Sequence, residues 1–249
     1  MARRFLLAAA ATAHREALHF WRERSRVLGF AVSPLLFWFV VGSGFSDMAF
    51  FFPGAVLLSV LFTALFSTMS VIDDRRAGFL LSVLASPAPR AAFVCGKVAG
   101  GAAMAAVQGL LFVAVGAVLK PAGASLPVWQ PLAALLLAGL AFTAIGFWLA
   151  WHSRTPQGFH AIMNVVLMPL WMISGALFPP EKAQPWLQAI MRFNPMRYFL
   201  DLLRHSLAPW SPDPSADPRL AAGVCLATAV LAACLSVYAV ERGPHGVNE

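Results

Sequence analysis

Charge is sparse in this sequence: Asp, Glu, Lys and Arg make up 12% of its 249 residues, and long stretches hold none of them. A soluble domain is excluded, because a composition 59% hydrophobic with a mean hydropathy of +0.72 would expose large apolar patches to water. Cysteine is scarce as well. Of the 3 cysteines, Cys95 stands alone and Cys225 and Cys234 share one apolar run. That pair is about 13 Å apart along a helix, too far for a disulfide. No CxxC, HExxH or other metal-ligand spacing occurs, and the histidines are scattered. The phosphate-cradling pattern GxxxxGK[ST] is missing too; the Gly96-Lys97 pair lacks both the preceding glycine and the following hydroxyl. Ionisable residues are absent from the middles of the apolar runs, which excludes the relays of a proton-coupled pump. Any uphill work must therefore draw on a nucleotide site in another chain.

What is present is a set of six apolar runs, at 27–45, 48–72, 98–119, 129–151, 159–178 and 220–240. A hydrocarbon core about 30 Å thick is crossed by about 20 helical residues. The expected fold is an all-α membrane protein with six transmembrane helices. A single membrane domain over 1–249 is expected, since the longest connection, 179–219, is too short for a core of its own. Lys and Arg fall 12 to 6 between alternate connections, which places both termini in the cytoplasm. The sequence pI near 10.2 comes from basic residues flanking apolar runs rather than forming a stripe, so no nucleic-acid partner is expected.

The connections carry the remaining information. The opening stretch, 1–26, imitates a secretory signal, but Arg15, Arg22, Arg24 and Arg26 would all have to be translocated. Arg15, His19, Arg22 and Arg26 recur at helical spacing, and the stretch reads as an interfacial amphipathic helix against membrane lipid. The segment 73–90 opens with Asp73, Asp74, Arg75 and Arg76, turns at Gly78, presents Phe79, Leu80, Val83 and Leu84 as an apolar face, and ends at Ser86-Pro87. It reads either as a helix lying on the inner surface or as one docking in a partner's groove. In 179–219, one helix is expected over Glu181 to Phe193, and a second is capped by Asn194 and started by Pro195. In that second helix Phe199, Leu202, Leu203 and Leu207 share a face opposed by Arg197, Asp201 and Arg204. Within the runs, Asn164 and Pro169 mark either a pathway or packing strain. Gln108 and Asn164 read as hydrogen bonds between helices or as substrate contacts. Lys97, at a run's end, is expected to snorkel to the interface, and Gly96 with Gly100 forms a GxxxG suited to close helix contact.

The string Ile173-Ser174-Gly175-Ala176-Leu177-Phe178-Pro179-Pro180, followed by Pro185-Trp186-Leu187 and Phe193-Asn194-Pro195-Met196-Arg197-Tyr198-Phe199-Leu200-Asp201-Leu202-Leu203-Arg204, resembles the C-terminal signature of the ABC-2 type permeases. These are membrane subunits of ABC exporters such as daunorubicin-resistance-type efflux pumps and polysaccharide exporters. The segment from Asp73 to Pro87 is similar to the family's coupling segment, although it opens Asp-Asp where a glutamate-rich start is commoner. The resemblance covers nearly the whole chain. It implies a permease, not itself an enzyme, that pairs with a second copy or paralogue in a bacterial inner membrane. It further implies separate ATP-binding subunits that hold ATP and magnesium, with no cofactor on this chain. By that resemblance Asp73 to Leu84 would be the coupling helix, and Pro180 to Leu207 an extracellular hairpin near the exit. Aromatic residues do not form the dense lining a carbohydrate path would want, which favours a hydrophobic drug or lipid over a glycan. Other classes compatible with the residues are a membrane assembly or haem-export-related subunit for a respiratory complex, and a lipid-modifying membrane enzyme. The scatter of His, carboxylate and Ser residues argues against the enzyme.

Overall fold

The computed structural model describes residues 2–22, 24–85, 89–119, 129–208, 210–211 and 214–242, and all regular structure among them is helical. Helices α1 (Ala2–Arg22) and α2 (Arg24–Gly44) come first. Asp47 caps α3 (Met48–Ser67), its carboxylate accepting from the Phe50 N–H at 2.9 Å. A single turn residue, Thr68, separates α3 from α4 (Met69–Arg76), so the second apolar run continues straight into the charged segment. The chain turns at Ala77 and at Gly78, whose φ is +73°, before α5 (Phe79–Leu84). Asp73 to Leu84 is thus two pieces: the last turn of a long helix, then a short separate one.

Helix α6 (Arg90–Leu119) starts eight residues ahead of the expected run, directly after Pro89, because nothing in its Ala- and Gly-containing first turns breaks a helix. Next come α7 (Trp129–His152) and an interrupted fifth element: α8 (Pro156–Ile162), a π segment (Met163–Leu167), α9 (Met168–Trp171) and a second π segment (Met172–Ala176). Pro169 supplies no N–H to the helix ladder, and the wider register begins just before it, with the Met168 N–H reaching the Met163 carbonyl. The element stops where Gly175 takes φ +98°. A 3₁₀ turn (Pro180–Lys182), α10 (Pro185–Phe193), α11 (Pro195–Ser206) and α12 (Pro218–Glu241) complete the chain. The single helix expected over Glu181 to Phe193 is divided: proline is best placed in a helix's first turn, and Pro185 opens α10 afresh.

Five elements are long and apolar enough to cross a membrane: Met48–Arg76, Arg90–Leu119, Trp129–His152, Pro156–Ala176 and Pro218–Glu241. In place of a sixth, among the described residues α2 shows the shorter apolar stretch Val32–Gly44. Helix α3 is central, buried almost continuously from Phe51 to Leu65, with α2, α6 and α7 around it and α12 against α7. Helix α1 packs along the first half of α6. At Gly96 an added Cβ would stand 2.5 Å from the Ala9 carbonyl oxygen and 2.6 Å from Thr12 Cβ; at Gly100 it would stand 3.1 Å from Glu16 Cβ. The GxxxG is therefore the seat of α1. Helices α1, α4 and α5 gather at one end of the molecule, the basic end, and α10 and α11 at the other, the α11 end.

Candidate functional site

At the basic end, Ser70 and Asp74 lie one turn apart on α4 and face α1 and α6. Lys97 Nζ sits 2.7 Å from each of Ser70 Oγ, Asp74 Oδ2 and Glu16 Oε1. Ser70 Oγ is also 2.7 Å from Glu16 Oε2, and Arg15 forks onto Asp74, with Nη1 donating to Oδ2 at 3.0 Å and Nη2 to Oδ1. The side chains of Lys97, Glu16 and Asp74 are only 2%, 5% and 6% exposed. Two cations and two carboxylates balance, which is what lets charge persist at such depth. The hydrogen bond to Asp74 raises the pKa of Arg15, against the effect of burial, and its guanidinium stacks 4.0 Å from the centre of the Phe79 ring. Lys97 does not snorkel: with α6 extended to Arg90, it lies inside the helix and turns toward α1 and α4. Arg15 likewise leaves the expected basic stripe.

Arg75 points elsewhere. It donates to the Trp151 carbonyl at 2.5 Å and the Ser153 carbonyl at 3.2 Å, with its guanidinium 5.3 Å from the Trp151 ring. A helix leaves its last carbonyls without partners, and Arg75 takes those of α7. The run of four charges therefore splits. Asp74 and Arg75 are spent inside the protein, whereas the exposed Arg76 and half-buried Asp73 make no ion pair among the described residues. The expected apolar face also splits. Leu80 is buried and Val83 packs on the core, leaving Phe79 exposed beneath Arg15. The Leu84 side chain and Ser86-Pro87 lie outside the described residues.

At the α11 end, Asn194 caps α11 as expected, its Oδ1 accepting from the Met196 N–H at 3.0 Å, and its Nδ2 donates to the Leu170 carbonyl at 2.6 Å. Pro195 occupies the first helical position. Phe199, Leu203 and Leu207 are buried as their shared face implies, and Leu202 packs beside them. Asp201 and Arg204, assigned to the opposite face, are buried too, at 1% and 3%. Asp201 accepts from Ser215 N and Oγ at 3.3 and 2.8 Å and pairs with Arg204 at 3.6 Å. Arg197 reaches Asp201 at 3.9 Å and donates to Ser215 Oγ at 3.1 Å. Arg204 Nη2 donates to the Gly175 carbonyl at 2.9 Å. Burial pulls the Arg204 pKa below its ordinary value, partly offset by Asp201 and Glu181.

Asn164 and Pro169 are both exposed, on the open side of the fifth element beside Ile162, Val165 and Val166. Phe37 of α2 meets the buried Trp171 at 5.3 Å, and α2 has an open side of its own with Leu36, Phe39 and Val40. Among the described residues, no group of His, Cys, Asp and Glu is arranged to hold a metal. The buried cluster of Glu16, Ser70 and Lys97 escaped the sequence reading. Its one signal was a lysine inside an apolar helix, visible only once α6 is known to begin at Arg90.

The chain is 27% identical over 200 residues to Nodulation protein J of Rhizobium leguminosarum bv. trifolii, covering 74% of this chain and 75% of that one. It is 25% identical over 163 residues to the inner membrane transport permease YadH of Escherichia coli K12, covering 65% and 63%. Over 150 residues it is 25% identical to the probable multidrug ABC transporter permease YbhR of the same organism, covering 59% and 40%. The family model for the ABC-2 type transporter matches residues 9–208, the stretch that holds the buried ion cluster and helices α10 and α11, and the chain belongs to the ABC-2 type transporter family.

Proposed function

We propose that this permease, the membrane subunit of an ABC exporter, receives the work of a separate ATP-binding subunit through the basic end, and that Arg76, Asp73 and Phe79 form the contact. The observation that carries this is the division of the charged segment. Asp74 and Arg75 anchor α4 to α1, α6 and α7, so a push on Arg76 or α5 reaches three other helices through these hydrogen bonds. ATP and magnesium belong to the partner. The basic end and both termini are cytoplasmic in this reading, α2 is the sixth span, and the α10–α11 hairpin is extracellular. Helix α1 lies on the inner leaflet, where exposed Leu6 and Leu7 meet acyl chains beside Arg3 and Arg4.

A second copy or a paralogue covers the open sides of α2 and the fifth element. Asn164 supports this, because a carboxamide facing hydrocarbon would lack a partner, whereas a polar path between two copies supplies one. The substrate is a hydrophobic drug or lipid, with a glycan the less favoured cargo. The test is copurification of the full chain with its ATP-binding subunit. Charge reversal at Arg76 and Asp73 is expected to abolish the association while the membrane protein stays folded. Asp74→Lys is expected to lose the folded protein itself. An intact permease that brings down no ATP-binding subunit, or one indifferent to Arg76→Glu with Asp73→Lys, would end this reading.

A further inference from the structure

We propose that Arg204 and Asn194 are positioning residues that fasten α11 to the broken end of the fifth element, so that hairpin and span move as one outer gate. The gating role rests on the exporter reading above; the fastening does not. The break begins at Ile173, which leaves helical geometry, and finishes at Gly175 with φ +98°. Backbone carbonyls around such a break lose their partners within the helix, and inside a membrane protein they must find others. Two are taken by side chains of the hairpin: the Leu170 carbonyl by Asn194 Nδ2 at 2.6 Å and the Gly175 carbonyl by Arg204 Nη2 at 2.9 Å. The Leu170 carbonyl precedes the second π segment and the Gly175 carbonyl ends the break within it, so the hairpin grips the interruption ahead of its start and at its end.

Arg204 is a costly choice for this task unless the charge itself is used. Its guanidinium is buried, pairs with the buried Asp201 and rests 5.4 Å from the Phe50 ring of α3. Asp201 in turn holds Ser215, just ahead of α12. One ion pair thus ties the fifth element, α11 and the approach to α12. The fifth element is also held to α3, by Trp171 Nε1 donating to the Gly54 carbonyl at 3.0 Å. π segments are places where helical register shifts readily, and a buried charged hook is either engaged or released rather than gradually stretched. Any shift of the fifth element past α3 would therefore carry α11 with it.

Two conservative variants separate the fastening from general stability. Asn194→Asp keeps the cap acceptor for Met196 but replaces the donor to Leu170 with an acceptor. Arg204→Lys keeps the charge beside Asp201 but lacks the fork needed to hold Asp201 and the Gly175 carbonyl together. Amide hydrogen exchange is measured on the full-length protein in lipid nanodiscs. In each variant, exchange in peptides covering 170–177 and 195–206 is expected to rise together, by about tenfold, with α7 unchanged. A rise confined to 195–206, or none, overturns the fastening. The same peptides are then followed after ATP and magnesium are added to the complex with the ATP-binding subunit. Wild type is expected to change in both, and Arg204→Lys only in 170–177. A wild type that ignores nucleotide removes the gating role and the exporter reading with it, yet leaves the nucleotide-free result standing; a variant that responds in both peptides removes the gating role alone.

Discussion

Lys97 shows what a single residue's surroundings decide. A lysine near the end of an apolar run has a long stem and a hydrated head, and local sequence points it to the interface. Here the amine meets three oxygens at 2.7 Å instead, with almost no exposure. Removing it leaves Glu16 and Asp74 as buried carboxylates answered only by the half-exposed Arg15. Lys97→Met is therefore expected to destabilise the protein by about 3–5 kcal/mol, seen as a lower midpoint of thermal unfolding in detergent. The triple variant Glu16→Gln, Asp74→Asn, Lys97→Met is expected to recover most of that loss, since no unpaired charge remains. A Lys97→Met protein as stable as wild type would show that the cluster is not what holds α1 and α4 together. Arg75 invites a smaller test: Arg75→Met leaves the Trp151 and Ser153 carbonyls without their donor and is expected to cost about 1–3 kcal/mol in the same measurement.

Elements were legible where their signals are local. The Asn194 cap, the Pro195 start and the buried face of α11 all follow from residues within a few positions of one another. Pro169 announced a disturbance in the fifth element, but not that two π segments would absorb it or that the helix would end at Gly175. Those depend on partners from elsewhere in the fold: Asn194 and Arg204 donate to the Leu170 and Gly175 carbonyls, and the Gly54 carbonyl of α3 accepts from the Trp171 indole. Likewise the GxxxG was readable as a contact, while its occupant was not. Gly96→Leu places a side chain against α1 backbone, which cannot yield as a flexible side chain would. The expected result is that α1 lifts from α6, and limited trypsin digestion cuts at Arg15 faster than in wild type; unchanged digestion would mean that α1 is held without this seat.

For the molecule as a whole, the exposed apolar surface of α2 and the fifth element includes Phe39 and Val165 at 60% and 74% exposure. Helix α12 carries an unrelated exposed strip around Val230 and Leu231. If a second copy covers the first surface and lipid the other, Val165→Cys in a background without native cysteine cross-links to a dimer under mild oxidant in membranes. Leu231→Cys is expected to stay monomeric. Equal cross-linking at both positions, or at Leu231 alone, would assign the dimer contact elsewhere.

The amino-acid order by itself determined the solvent, the helical class, most of the apolar spans, the cap of α11, and the family. These rest on hydrophobic runs and short-range hydrogen bonds, whose causes sit next to one another in the chain. Tertiary structure alone decided which charges are free. Glu16 meets Ser70 across 54 residues, Arg15 meets Asp74 across 59, and Arg204 meets the Gly175 carbonyl across 29. Whether a charge ends in a buried pair or on an open surface depends on partners brought from that far away, because only packing removes the water that would otherwise solvate each one.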